Sequence, residues 1–389
     1  SHKFASVPEG IDCERCHGPG EAHVQKIQAG DITDTAQAID RSIVNPSKLP
    51  SELQFEVCQR CHLQGNSVLK AGKNFRDFRP GMKLSEVMEV YLPRYSNRED
   101  KFIMASHVDR FKKSACFLES EGEFNCISCH NPHKSVEITS TAHFNAQCQN
   151  CHQEAQEEEC SAPHDSLKAA GFNCVECHMP SSTSTDIPHV TVHDHYIRKP
   201  EKSKAQQLAD SKFLGLFAVN NDDPSARSKT LAYLQHYERF SGGEDYLLDS
   251  AQFFLRRMKP SHPDHLFLQV YALYLAENYD PLIQYINRKG PLEVLEKLQE
   301  KSLDNRHAWT AYRIGQAWNA QKEYDMAQIF YERAVALAPL VVDFRNKLAG
   351  TLAKQRQWQQ AARHYDSILT EKNWHQEALS NRGYLYLRS

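Results

Sequence analysis

The sequence predicts a mainly α protein in two parts: a domain with little regular structure, cored by attached groups, followed by an α-helical solenoid. Three observations predict this. Five copies of Cys-x-x-Cys-His consume ten of the twelve cysteines, all before residue 180. Cysteine is then absent, and apolar residues recur at helical spacing. Near the C-terminus a pattern of small and aromatic residues repeats every 34 positions. The division this gives is 1–200 and 201–389.

The five motifs are Cys13-Glu-Arg-Cys16-His17, Cys58-Gln-Arg-Cys61-His62, Cys126-Ile-Ser-Cys129-His130, Cys148-Gln-Asn-Cys151-His152 and Cys174-Val-Glu-Cys177-His178. Zinc knuckles and thioredoxin-like pairs use two cysteines at this spacing but do not require the histidine that follows. Covalent attachment of haem c requires all three residues. Two thiols add across the porphyrin vinyl groups, and the adjacent imidazole becomes the proximal iron ligand. A histidine after the second cysteine in all five copies therefore predicts five haems c. Short helices are expected at the motifs, for instance over His17–Ile27, with irregular loops between them. Such a segment has few residues with which to build a core, so the haems are expected to supply it and the apo form to be unfolded.

A haem that only carries electrons has both axial positions filled, commonly by histidine. Fourteen of the twenty histidines lie in the first 200 residues, nine of them outside the motifs. The distal candidates are His23, His107, His133, His143, His195 and His189, with His2, His164 and His193 behind them. His23 lies one or two helical turns past its own motif, within reach of a neighbouring iron. The rigid Asn131-Pro132 step turns His133 towards an adjacent haem, and His143 precedes the fourth motif. His189, His193 and His195 alternate along one face of an extended strand, and His195 is favoured among them. Methionine ligation by Met104 or Met179 is the less favoured alternative. Arg76, Arg79 and Arg110 are basic residues available to haem propionates. Cys116 and Cys160 are left over, to be read either as a disulfide or as two buried thiols.

The second part reads as degenerate helical hairpins over 205–300, beginning with SKFLGLFAVNN, and as clear tetratricopeptide repeats over 308–389. Gly315, Trp318, Ala327, Tyr331 and Ala334 recur as Ala349, Leu352, Ala361, Tyr365 and Ile368. The small residues let paired helices approach, and Pro339 closes the second helix of its repeat. Ser389 falls after the first helix of a third copy, so the chain is expected to continue.

Composition excludes other classes. Hydrophobic residues at 40% and charged residues at 24% describe a globular protein rather than a disordered one. No apolar run is long enough for a transmembrane segment. The formal charge of −3 becomes more negative with haem propionates, so nucleic acid is not an expected partner. Haem c is attached outside the bacterial cytoplasm, so the protein is expected to be periplasmic or extracellular, with its signal peptide upstream of Ser1.

The phrases EGIDCERCHGPGEAH, SIVNPSKLP, VCQRCH, SHVDRFKKSACFLES, CHNPH, CVECHMP and IPHVTVHDHYIRKP resemble bacterial multihaem cytochromes c fused to tetratricopeptide repeats. They span most of residues 8–200, and the C-terminal repeats agree. The resemblance implies further haems upstream in some members, and it favours pairing of Cys116 with Cys160. More distantly, the first part is similar to hydroxylamine oxidoreductase and pentahaem nitrite reductase, where haems stack into a conduit. Nitrite reductases of that group commonly mark the active haem with Cys-x-x-Cys-Lys, which does not occur in this chain. The leading expectation is a carrier that passes electrons between redox partner proteins, with the repeats for docking or self-association. The alternatives are a reductase of a small nitrogen or sulfur compound with one open-site haem, and a subunit of an extracellular haem filament.

Overall fold

The computed structural model describes residues 11–96, 106–152, 160, 162–183, 191–200, 212–240, 242–300 and 305–387. The protein is mainly α-helical, with nineteen α-helices among the described residues. It divides into two compact units, one spanning residues 10–224 and the other 225–389. The division lies 24 residues beyond the expected boundary at 200/201, for a topological reason. Phe213–Ala218 is a strand rather than the first helix of the second part, and it pairs antiparallel with Met88–Tyr95. Its apolar residues face both ways, with Leu216 buried and Leu214 and Phe217 exposed, a pattern that a short run cannot distinguish from helix.

The first unit holds a three-stranded sheet of β1 (Asn66–Leu69), β2 (Met88–Tyr95) and, outside β2, Phe213–Ala218. β3 (Ser181–Thr183) and β4 (Thr191–His193) form a separate hairpin. Gly65, entering β1, passes so close to β2 that an added Cβ would lie 2.7 Å from Val90 Cγ1. Leu63, Phe78, Leu84, Val87, Met88 and Val90 form one core, and Phe55, Val108 and Phe111 a second. The expectation that this half lacks a side-chain core is therefore corrected for 51–118 and the sheet. Around the other motifs, the helices Glu14–His17, Cys126–Cys129, Thr141–Gln149 and Cys174–His178 bury no residue.

A helix over His17–Ile27 is also corrected. His17 ends one helix, Gly18 turns at φ 77°, and the next helix runs Glu21–Gln28. The break follows from Gly18-Pro19-Gly20, where glycine supplies the positive φ and proline restricts the residue before it.

In the second unit helices pair antiparallel: Ala226–Phe240 with Asp245–Leu255, Arg306–Ala320 with Tyr324–Leu337, and Val342–Lys354 with Trp358–Glu371. Phe330, Tyr331, Phe344 and Tyr365 fill the continuous core. Gly315 lets its helix approach the next one, because an added Cβ would sit 2.9 Å from the Tyr331 ring. The turn inside the last two of these hairpins is the same. Lys322 and Arg356 adopt φ of 64° and 63°, and the next amides, Glu323 and Gln357, donate to Trp318 and Leu352 carbonyls at 3.0 and 2.9 Å. This is the Schellman closure. Glu277, at φ 53°, repeats it between His265–Leu275 and Tyr279–Lys289, with Asn278 N–H donating to Leu273 O at 3.0 Å.

Candidate haem-binding site

The helices of the third, fourth and fifth motifs have starts fixed by side chains. Asn125 and Asn173 stand immediately before the third and fifth motifs, and each accepts from a backbone N–H two residues on, at 3.1 Å. Ser140 caps the helix that leads into the fourth motif. Asn145 on that helix accepts from Cys174 N–H at 3.1 Å and donates to Phe172 O at 3.0 Å, tying the fourth motif to the fifth. The second motif ends the helix Ser51–His62, whose inner face carries Phe55 and Val57 into the core.

Neighbouring motifs interact in the order of the chain. The charge of Cys16 feels Cys58 and Cys61, Cys58 shares a thiol hydrogen bond with Cys126, and Cys148 shares one with Cys174. Cys129 lies within electrostatic reach of Cys148 and Cys116, and Cys116 within that of Cys151. Burial first, then these neighbours, pushes the thiols of Cys129 and Cys148 up to about 11. For Cys126, its hydrogen bond to Cys58 leads the upward shift, followed by burial. Cys116 and Cys160 are free thiols, and the cysteine charge felt by Cys116 is that of Cys151.

Imidazole tautomers follow from their acceptors. His17 Nδ1–H donates to Val44 O at 2.8 Å, and His178 Nδ1–H donates to Arg198 O at 2.9 Å. His195 donates from Nδ1 to His193 O at 3.0 Å, and His193 likewise to Met179 O at 2.9 Å. A carbonyl only accepts, so each ring keeps its proton on Nδ1 and turns a bare Nε2 outward, as metal-bound histidines do. His23 Nδ1 lies 3.2 Å from Asp40 Oδ2 and 3.1 Å from Ser42 Oγ, so the 40–44 segment holds both imidazoles of the first motif region. His143 is oriented the other way, donating from Nε2 to Cys129 O at 3.2 Å.

Three imidazole pairs lie close together with planes within 28° of parallel. His17 and His133 have centroids 6.0 Å apart at 11°, His62 and His107 5.4 Å apart at 17°, and His130 and His195 6.2 Å apart at 28°. The last two pairs touch, with His107 and His195 4.3 Å apart at 25°. Burial first, then the other rings, pushes His107 down to about 3. Burial likewise pushes His195 down to about 4 and lowers His130. These three rings are therefore neutral at ordinary pH, the form that binds a metal. His107 Nδ1 is buried without a hydrogen-bond partner. His193 is exposed, and His2, Met104 and His189 lie outside the described residues.

A cavity of about 150 Å³ adjoins Cys61, apolar on the side of Phe75, Phe78, Leu84 and Met88 and basic on that of Arg15 and Arg60. Of the arginines singled out by the sequence, Arg110 is engaged with Asp194, and Arg79 turns back onto the carbonyls of Arg76 and Phe78. Sequence reasoning missed the acceptors Val44 and Arg198 and the capping asparagines. Asn before the first cysteine of two motifs was the available signal for the caps. Among the described residues no three His, Cys, Asp or Glu side chains converge as a bare-ion site. No protein-family model matches the chain, and no curated protein matches it significantly.

Proposed function

We propose that the chain is a multihaem c-type cytochrome that carries electrons along a row of five covalently bound haems. The observation that carries this reading is the set of imidazole pairs. An imidazole nitrogen about 2 Å from a metal on each side sets two ring centroids roughly 6 Å apart. His17–His133 and His130–His195 have that spacing, and His62–His107 comes near it. In each pair a proximal histidine meets a distal candidate from another part of the chain, with Nε2 of His17 and His195 left bare by their carbonyl partners.

The donor set fits haem c. The five motifs supply paired thiols for thioether attachment, and iron already held by a porphyrin needs only two protein ligands. Haem would supply a one-electron couple whose potential depends on axial ligation and burial. The chain's own residues do the rest. His17, His62, His130, His152 and His178 are the proximal ligands, and His133, His107 and His195 serve opposite the first three. Val44 and Arg198 carbonyls fix ring orientation and raise imidazole basicity. The apolar wall beside Cys61 excludes water, and Arg15 and Arg60 suit a carboxylate at its edge.

The interactions between successive motifs favour a conduit ordered as the sequence is. The 225–389 unit, with its 34-residue period and repeated turn, serves as a tetratricopeptide-type surface for redox partners or further copies of the chain. The whole belongs in the periplasm or outside the cell.

The test is haem content by pyridine haemochrome together with low-temperature EPR of the oxidised protein. Five haems per chain and low-spin ferric signals alone are expected. A substantial high-spin signal that shifts with nitrite, hydroxylamine or sulfite would overturn the carrier reading in favour of a reductase.

A further inference from the structure

The interior of the first unit contains an ion pair for which core stability gives no account. Arg110 Nε donates to Asp194 Oδ1 at 2.8 Å, and Arg110 Nη2 donates to Asp194 Oδ2 at 2.6 Å. The two side chains are 4% and 5% exposed. Desolvating both charges costs as much as, or more than, their attraction returns, and a well-packed apolar pair would often be at least as stable. What such a pair supplies is registry, because a bidentate fork admits one geometry.

The registry it fixes joins two segments that nothing local would align. The partners are 84 residues apart in the chain. Arg110 lies on the helix His107–Phe111, one turn past His107, and Asp194 immediately precedes His195. The carboxylate also accepts from Tyr196 N–H at 3.0 Å, and the guanidinium lies 5.2 Å from the Tyr196 ring centre. Asp194 N–H donates to Pro180 O at 3.0 Å, and Arg198 N–H donates to His178 O at 3.3 Å, so the same strap is moored at the fifth motif. The result is His107 and His195 4.3 Å apart, one facing His62 and the other His130.

We propose that Arg110 and Asp194 are positioning residues, a buried clamp that sets the axial imidazoles His107 and His195 and so fixes the ligation of the second and third haems together. The proposal rests on the multihaem reading. It assigns neither residue to the propionates and neither to direct contact with iron. Loss of the fork lets the 191–200 strap and the 107–111 helix move independently, and two centres change while three do not.

The experiment compares the intact haem-loaded protein with Asp194→Asn, Arg110→Lys and a control, Asp264→Asn. Asp264 is a buried aspartate of the other unit, held by Arg227 and Arg306, so its loss reports destabilisation without movement of the strap. Haem per chain, EPR and a potentiometric titration are read for each. Asp194→Asn is expected to keep five haems while two of the five low-spin signals move in g value or convert to high spin. Their two potentials should shift with them, and Arg110→Lys should affect the same two centres less. Asp264→Asn should leave all five as in the parent. Five unshifted signals in Asp194→Asn, or an equal change in all five, would overturn the clamp. If Asp194→Asn does not accumulate, the same three readings of Arg110→Lys decide. A parent protein without haem would instead refute the multihaem reading itself.

Discussion

The helices that carry the cysteine motifs and the helices of the 225–389 unit differ in what they bury. Arg306–Ala320 buries nine residues, and Val342–Lys354 inserts Phe344 and Leu348 into a core shared with its neighbours. Glu14–His17, Cys126–Cys129 and Cys174–His178 bury none. Large apolar side chains stand exposed around them, among them Ile11, Ile127, Ile138 and Phe172. One set of helices is held by the chain itself. The other is pinned by polar contacts and carbonyl acceptors, and leaves apolar side chains exposed. The helix Ser51–His62 belongs to both, with a packed inner face and a motif at its end.

The sharpest way to break this contrast is to prevent haem attachment. Limited proteolysis followed by mass spectrometry should then show cleavage throughout 11–44 and 115–200, while the 225–389 unit stays resistant. Equal resistance in both would mean that the motif segments fold without haem. The next largest effect belongs to the second unit. Phe330→Ala empties a fully buried site and should cost about 3–5 kcal/mol in denaturant unfolding, with the haem absorption unchanged. Gly315→Ala forces a methyl against Tyr331 and should cost about 1–3 kcal/mol. Gly383→Ala, with nothing within 4 Å, should gain roughly 0.5–1 kcal/mol in the same assay.

Smaller still is the loss of a cap. Asn173→Ala should weaken the fifth-motif helix by about 0.5–2 kcal/mol, seen as faster hydrogen exchange at the Val175 amide. Acid should act more weakly on the second unit. Burial holds His236 and His364 below the ordinary imidazole value. The unfolded chain takes up these protons near pH 6.5, so stability should fall as pH drops from about 6.5 towards the lower folded values. An unfolding midpoint that stays flat over that range would contradict this.

What could be read from the sequence was whatever chemistry or periodicity keeps at fixed spacing. A Cys-x-x-Cys-His motif fixes three residues in five, so the five copies stood out, and a helical hairpin that stacks on its copy repeats its turn and its small residues. The hairpin over 265–289 shares the αL turn at Glu277, but its weaker pattern hid the kinship. Pairings across the chain were not legible. Phe213–Ala218 owes its extended form to β2, more than a hundred residues earlier, and its own apolar run fits helix equally well. Arg110 looked like any arginine near a haem motif until Asp194 was placed against it. Tautomers were invisible for the same reason, since the acceptors of His17 and His178 are backbone carbonyls of no particular sequence.

The turns at Lys322 and Arg356 carry a consequence for how such a protein changes over time. Both are built by non-glycine residues in the same left-handed conformation, 34 positions apart, each closing a hairpin that buries equivalent residues, Ala327 and Tyr331 in one and Ala361 and Tyr365 in the other. A copy duplicated or deleted in register therefore meets the same interface it left. The helical stack can grow or shrink in steps of one hairpin without disturbing any residue of the cysteine motifs. Reach becomes a quantity that evolution, or a designer, can set separately from the chemistry proposed for the cysteine motifs.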